Sequence, residues 1–109
     1  MPESQERGAL TEAVFYILLA LHTPMHGYGI MQFVKELSKD RVNLGAGTLY
    51  GAINTLLEKG WIKALLSESD SRKKEYEITP AGRQIAADEL QRLQELIDNG
   101  RKIIGGVDK

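Results

Sequence analysis

Gly45, Gly47 and Gly51 lie within "NLGAGTLYGAINTLLEKGWI" (residues 43–62), at a spacing close to that of a phosphate-cradling loop. Such a loop needs a strand before its glycines and a helix opening among them, inside a parallel βαβ unit. Here Gly-x-Gly-x-x-x-Gly is one residue off the dinucleotide pattern, the helical segment "YGIMQFVKELSKD" precedes it, and no Gly-Lys-Ser/Thr follows. Nucleotide chemistry fits poorly. His22 and His26 stand four residues apart, but the chain has no cysteine, and they have no nearby acid except Glu12. No metal or cofactor is expected. There is no Ser-His-acid set with a nucleophile turn, and Asp88, Glu89, Glu95 and Asp98 are spaced as a solvated helix face. The chain does not read as an enzyme.

A second chemistry suits the same stretch. With Leu49, Ile53, Leu56 and Leu57 anchoring a helix, Thr48, Tyr50, Gly51, Asn54, Thr55 and Lys59 are left for outward and flanking positions. Asn and Thr can hydrogen-bond to base edges or phosphates, and Tyr can donate to a phosphate. The helix N-terminus offers free backbone N–H groups, and small residues keep the helix slim where a groove wall approaches. A simple solvated face would use the same residue types. The cationic run Arg72-Lys73-Lys74 adds separate weight, because three cations in a turn beside such a helix suit the DNA backbone or minor groove. Lys35, Lys59 and Lys63 could widen that patch.

The elements that would hold these residues can be read from periodicity. The 109 residues suffice for one domain, and the formal charge of −1 supplies no global attraction to nucleic acid, so any such argument is local. Residues 9–22 predict a helix with Leu10, Val14, Ile17, Leu18 and Leu21 at helical spacing. Phe15, Leu19 and Ala13 occupy its other faces, so it is apolar nearly all round. A small fold cannot easily wrap such a helix, which points to a homodimer, although a central core helix would look the same. "HTPMHGYG" predicts a short connection, and a second helix follows over about 27–39. A third spans 46–59, with Gly45 as a tolerable N-cap and Gly60 as its stop. "WIKALL" and "EYEIT" predict a hairpin, with Tyr76 and Ile78 on one face and Glu75 and Glu77 on the other. Thr79 and Pro80 open a last helix striped by Ile85, Ala86, Leu90, Leu93, Leu96 and Ile97, ending near Asn99-Gly100 or one turn later at Ile104.

The order helix, helix, helix, hairpin, helix is mainly α with a β-hairpin wing: a winged helix-turn-helix plus a C-terminal dimerisation helix. The expected parts are a flexible N-terminus (1–8), the winged unit (9–79), the dimerisation helix (80–104) and a tail (105–109). The apolar run "AVFYILLAL" is too short to span a bilayer, and "MPESQERG" lacks the positive flank of a signal peptide. A cytoplasmic protein with no membrane partner is expected.

Three segments, "ILLALHTPMHGYGI" (17–30), "GTLYGAINTLLEKGWI" (47–62) and "SRKKEYEITPAG" (71–82), together resemble the PadR-type transcriptional regulators, in the short form with a single C-terminal helix. The resemblance covers residues 9–98. It implies a homodimeric winged-helix protein that binds palindromic double-stranded DNA, most often as a repressor. It also implies that the first and last helices make the dimer, here through Leu10, Val14, Ile17, Leu18, Leu21, Leu90, Leu93 and Ile97. Tyr50 would be the phosphate-contacting tyrosine beside Thr48, and Arg72, Lys73 and Lys74 the basic wing. Tyr28 would lie near either the DNA backbone or the core. Many relatives have Ser-Pro where this chain has Gly45-Ala46, often a basic or prolyl residue at Gly51, and an arginine near Thr55. Their absence shifts the burden of specificity to Asn54, Thr55 and DNA shape. Some relatives respond to small aromatic or lipophilic effectors, for which Phe15, Tyr16 and Trp61 are the aromatic candidates, though all three also suit a core or interface. The rival reading is a winged-helix module that binds protein without sequence-specific DNA binding.

Overall fold

The computed structural model describes residues 8–65 and 74–105. The expectations for the N-terminal segment, the tip of the wing and the last four residues of the tail lie outside them. Helix α1 (Glu12–Ala20) starts where the Thr11 side chain accepts from Val14 N at 3.1 Å. It begins three residues later than the apolar pattern alone suggests, because the cap rather than the last apolar residue fixes the start. Strand β1 (Met25–His26) follows, then α2 (Gly27–Leu37) and α3 (Ala46–Lys59). Helix α3 ends at Gly60, whose φ of 77° is the left-handed conformation that glycine tolerates best. Strands β2 (Ile62–Leu65) and β3 (Glu75–Ile78) and the 25-residue helix α4 (Pro80–Ile104) follow, completing the elements of the described residues.

The sheet has three strands in the order β1-β3-β2, all antiparallel. The sequence reading anticipates only two. Met25 pairs with Tyr76 and His26 with Glu75, so the segment expected to be a plain connection is bridged to the far strand of the hairpin. In the hairpin itself Ile62 pairs with Ile78 and Lys63 with Glu77, which puts Tyr76 and Ile78 inward as the alternation predicts.

One core serves all elements. Ile17, Leu18 and Leu21 of the α1 region meet Ile30 and Val34 of α2, Leu49, Ile53 and Leu56 of α3, and Ile62 and Ile78 of the sheet. Among the described residues every buried side-chain nitrogen and oxygen has a hydrogen-bond partner. None of their helices is long and apolar enough to cross a membrane.

The junction into α4 is the tightest joint. Thr79 Oγ1 accepts from Gly82 N at 3.1 Å and donates to Gly60 O at 2.7 Å, while Thr79 N donates to Trp61 O at 3.0 Å. One residue thus caps α4 and ties it to the end of α3 and the start of β2. Thr79→Ala removes both side-chain bonds and is expected to lower unfolding free energy by about 1–2 kcal/mol in a urea titration.

Only the first turns of α4 are covered: Gly82, Ala86 and Glu89 are buried, whereas Leu90, Leu96, Ile97, Ile103 and Ile104 are exposed. At 1.5 Å per residue the helix is about 37 Å long, far more than the body needs.

Candidate nucleic-acid interface

The inner side of α3 is fixed by Leu49, Ile53 and Leu56, each almost wholly buried. Its outer side is bare: Thr48, Tyr50, Gly51, Asn54, Thr55 and Lys59 are all exposed. A Cβ at Gly45, Gly47 or Gly51 would meet no heavy atom within 4 Å, so the glycines mark open surface, not a packed cradle. Gly45 is the N-cap and offers no side-chain bond, as its residue type dictates. Thr55 Oγ1 donates to Gly51 O at 3.2 Å, which commits its proton to its own helix and leaves Asn54 as the freer donor on this face. Glu58, one turn beyond Asn54, is also exposed. A carboxylate repels phosphate but can accept from a cytosine amino group. The spacing of four between Asn54 and Glu58 was the available signal.

Around α3 lie the other candidates. Tyr28 is exposed, and its hydroxyl accepts from Gln32 Nε2 at 2.9 Å, so of its two expected settings it takes the surface one. Tyr50 lies close enough to Tyr76 to act on its ionisation. Burial first, and then Tyr50, hold the Tyr76 phenol above its ordinary range. In the wing, Lys74 is exposed at the entry to β3, while Arg72 and Lys73 fall outside the described residues. The lysines that could have widened the patch have other partners: Lys63 faces Glu77 at 4.0 Å, Lys35 faces Asp40 at 3.8 Å, and Lys59 Nζ stands 5.2 Å from the centre of the Trp61 ring.

The two histidines each bond to backbone at a helix end. His22 Nδ1 lies 2.9 Å from Leu18 O, and His26 caps α2 by accepting from Gly29 N at 3.3 Å through Nδ1. Among the described residues no three His, Cys, Asp or Glu side chains are grouped as a metal site.

The residues expected at a dimer interface divide. Ile17, Leu18 and Leu21 have no exposed surface in the single chain and are core residues, covered by α2, α3 and the sheet. This corrects their assignment: a side chain already enclosed by its own fold has nothing left to offer a partner. Leu10, Val14 and Leu93 are partly exposed, and Leu90 and Ile97 are 62% and 47% exposed. Leu96, Ile103 and Ile104 join them, the last two at 86% and 75%. The spacing Leu90, Leu93, Ile97, Gly100, Ile104 alternates three and four, the period that coiled-coil seams use.

The aromatic trio also divides. Phe15 and Tyr16 line a groove of about 370 Å³ between α1 and α4, with Leu10, Glu12, Glu89, Arg92 and Leu93. Trp61 lines a different one, of about 280 Å³, between the start of α1 and α3. The first groove has a polar floor: Glu89, almost fully buried, is gripped by Arg92 through bonds of 2.9 and 2.6 Å, and one of its oxygens accepts from Leu10 N at 3.3 Å. That grip raises the Arg92 guanidinium above its ordinary range. At the rim, hydrogen bonding to Arg41 holds the Glu12 carboxyl below the usual carboxylate range and ties α1 to the α2–α3 connection.

A search of curated proteins finds no match to this chain. Solved structures do match it. A putative transcriptional regulator from Thermoplasma acidophilum is 28% identical, covers 87% of this chain and 92% of its own, and superposes with a TM-score of 0.65. A PadR family transcription regulator from Clostridium difficile R20291 is 21% identical, covers 87% of this chain and 100% of its own, with a TM-score of 0.69. A PadR family transcriptional regulator from Eggerthella lenta DSM 2243 is 23% identical over 85% of this chain and 81% of its own, with a TM-score of 0.70. The fold is thus the winged helix-turn-helix with a C-terminal helix, and regulators of this kind generally bind DNA as dimers. A sequence model of the transcriptional regulator PadR-like family matches residues 16–88, about two thirds of the chain, and the protein belongs to that family.

Proposed function

We propose that the protein is a homodimeric repressor that binds a two-fold symmetric operator, with α3 in the major groove and the wing against the DNA backbone. The observation that carries this reading is the outer face of α3, open from Gly47 to Lys59 while its inner face is locked into the core. A rigid helix with one uncovered polar side is what a groove requires. Asn54 supplies base-edge hydrogen bonding, Thr48 and Tyr50 phosphate contacts at the helix start, and the wing cations the salt-dependent part of the affinity. The exposed apolar half of α4 supports dimerisation through Leu90, Leu93 and Ile97, with Leu10 and Val14 alongside. The Phe15–Tyr16 groove, at the joint between α1 and α4, suits a small aromatic or lipophilic effector that would release DNA by altering the spacing of the two recognition helices. Trp61 lies apart from it and is not included.

The test is a titration of the full chain against the duplex it enriches from a random pool. Tight binding that weakens steeply with salt is expected, together with a loss of affinity in Tyr50→Ala. Lys74→Ala should flatten the slope of log affinity against log salt by about 0.9 for each phosphate it no longer neutralises, hence nearly 2 for a dimer. One observation favours the protein-binding alternative: the outer face of α3 bears the acidic Glu58, and its lysine, Lys59, stacks on Trp61. Failure to enrich any duplex would support that alternative.

A further inference from the structure

Tyr50 reaches its position by crossing the first turn of α2, and residue 27 leaves room for it. A Cβ on Gly27 would overlap the Tyr50 hydroxyl oxygen and stand 2.7 Å from Cζ and 3.3 Å from Cε1. Atoms do not pack that closely. Gly27 is buried at the first position of α2 and does not share the positive φ of Gly8, Gly60 and Gly105. Its own backbone conformation therefore does not call for glycine, and alanine would favour the helix. What glycine supplies here is space. Met25, two residues earlier, pairs with Tyr76, and Tyr76 lies within electrostatic reach of Tyr50. The short β1–β3 bridge thus holds the segment that leads directly into the bare turn. Gly29 differs: a Cβ there would make ordinary contacts at 3.6 Å or more, with Met25 and His26.

We propose that Gly27 is a positioning residue, whose missing side chain lets Tyr50 lie across the start of α2 and so sets the Tyr50 hydroxyl for a DNA phosphate. The inference rests on the reading of Tyr50 as a DNA contact. It links two segments that sequence leaves separate, His26-Gly27-Tyr28 and Gly47-Thr48-Leu49-Tyr50. The hydroxyl lies at a helix N-terminus, where the dipole and backbone N–H groups also favour an anion. Tyr50 remains 44% exposed, so a methyl group at residue 27 would swing its ring away and leave the core in place.

The experiment is a double-mutant cycle read by DNA affinity, using the duplex enriched by the full-length parent protein. Gly27→Ala should fold with the parental circular dichroism spectrum and weaken binding about ten-fold or more, as Tyr50→Ala does. Gly27→Ala in the Tyr50→Ala background should add nothing, because the ring it displaces is gone. Gly29→Ala should bind as the parent does. The salt slope should stay parental in Gly27→Ala, since Tyr50 is neutral, whereas a general disturbance of the interface would flatten it by lifting cations off the phosphates. Parental affinity in Gly27→Ala beside a weakened Tyr50→Ala overturns this inference alone. So does a Gly27→Ala loss repeated in full without the tyrosine. Parental affinity in Tyr50→Ala overturns the DNA role of Tyr50 and this inference with it.

Discussion

Replacing Leu90 and Ile97 together by glutamate is expected to give a folded monomer with greatly weakened binding to DNA. Both side chains are exposed in the single chain, so their replacement leaves the core formed by α1, α2, α3 and the sheet intact. In a dimer joined along α4 they occupy the seam. Burying a leucine or isoleucine is worth about 2 kcal/mol, which over four side chains comes to roughly 8 kcal/mol per dimer as an upper figure. Even a quarter of that shifts the dimer dissociation constant about thirty-fold, and four carboxylates entering an apolar seam raise the cost further. Sedimentation equilibrium should show a monomer at concentrations where the parent is dimeric, with an unchanged circular dichroism spectrum. DNA affinity should collapse, because two half-sites would then be engaged independently rather than by one linked pair. A dimer that survives this change would place the interface elsewhere.

Gly82→Ala should destabilise the monomer itself, by about 1–2 kcal/mol, and Gly82→Val by more. A Cβ on Gly82 would overlap the Trp61 carbonyl oxygen and stand 2.8 Å from Ile78 Cγ1 and 2.9 Å from the Trp61 carbonyl carbon. Alanine favours a helix over glycine by about 1 kcal/mol. That gain is outweighed because the obstacle is backbone. Trp61 O already accepts from Thr79 N at 3.0 Å and cannot withdraw without breaking that bond, which ties α4 to the start of β2. Overpacking at an unyielding site costs about 1–3 kcal/mol and occasionally more. Gly27 has a similar overlap with the opposite remedy: its obstacle is the far end of Tyr50, which can move into solvent. Chemical denaturation of the two variants side by side should show a large loss at Gly82 and little at Gly27.

What the sequence reveals and what it hides follow from the range of each interaction. Helix α3 was legible from Gly45 to Gly60 because its cap, apolar spacing and αL stop are local features, and all three are found. The start of α4 was equally legible from Thr79-Pro80. Strand β1 was not, because two residues beside Pro24 and Gly27 carry no alternation, and their pairing with Tyr76 and Glu75 is made across about fifty residues of chain. Helix α1 defeated the assignment of faces for a different reason. A helix apolar on every side gives periodicity no contrast to report, so Ile17, Leu18 and Leu21 could be placed on a helix but not on its inward side. Helix α4, polar between its apolar positions, did show its stripe, and the exposed Leu90 and Ile97 lie on it. The role of Gly27 was hidden too, since nothing near it in sequence names Tyr50 as its neighbour.

The reading of α3 as a DNA-recognition helix is tested most directly by selecting duplexes from a random pool with the full-length protein and footprinting the enriched sequence. Two inverted half-sites are predicted, their centres about one helical turn (roughly 34 Å) apart on one face of the duplex, with protection lost in Tyr50→Ala. No enrichment, or protection of a single asymmetric patch indifferent to Tyr50, would contradict it.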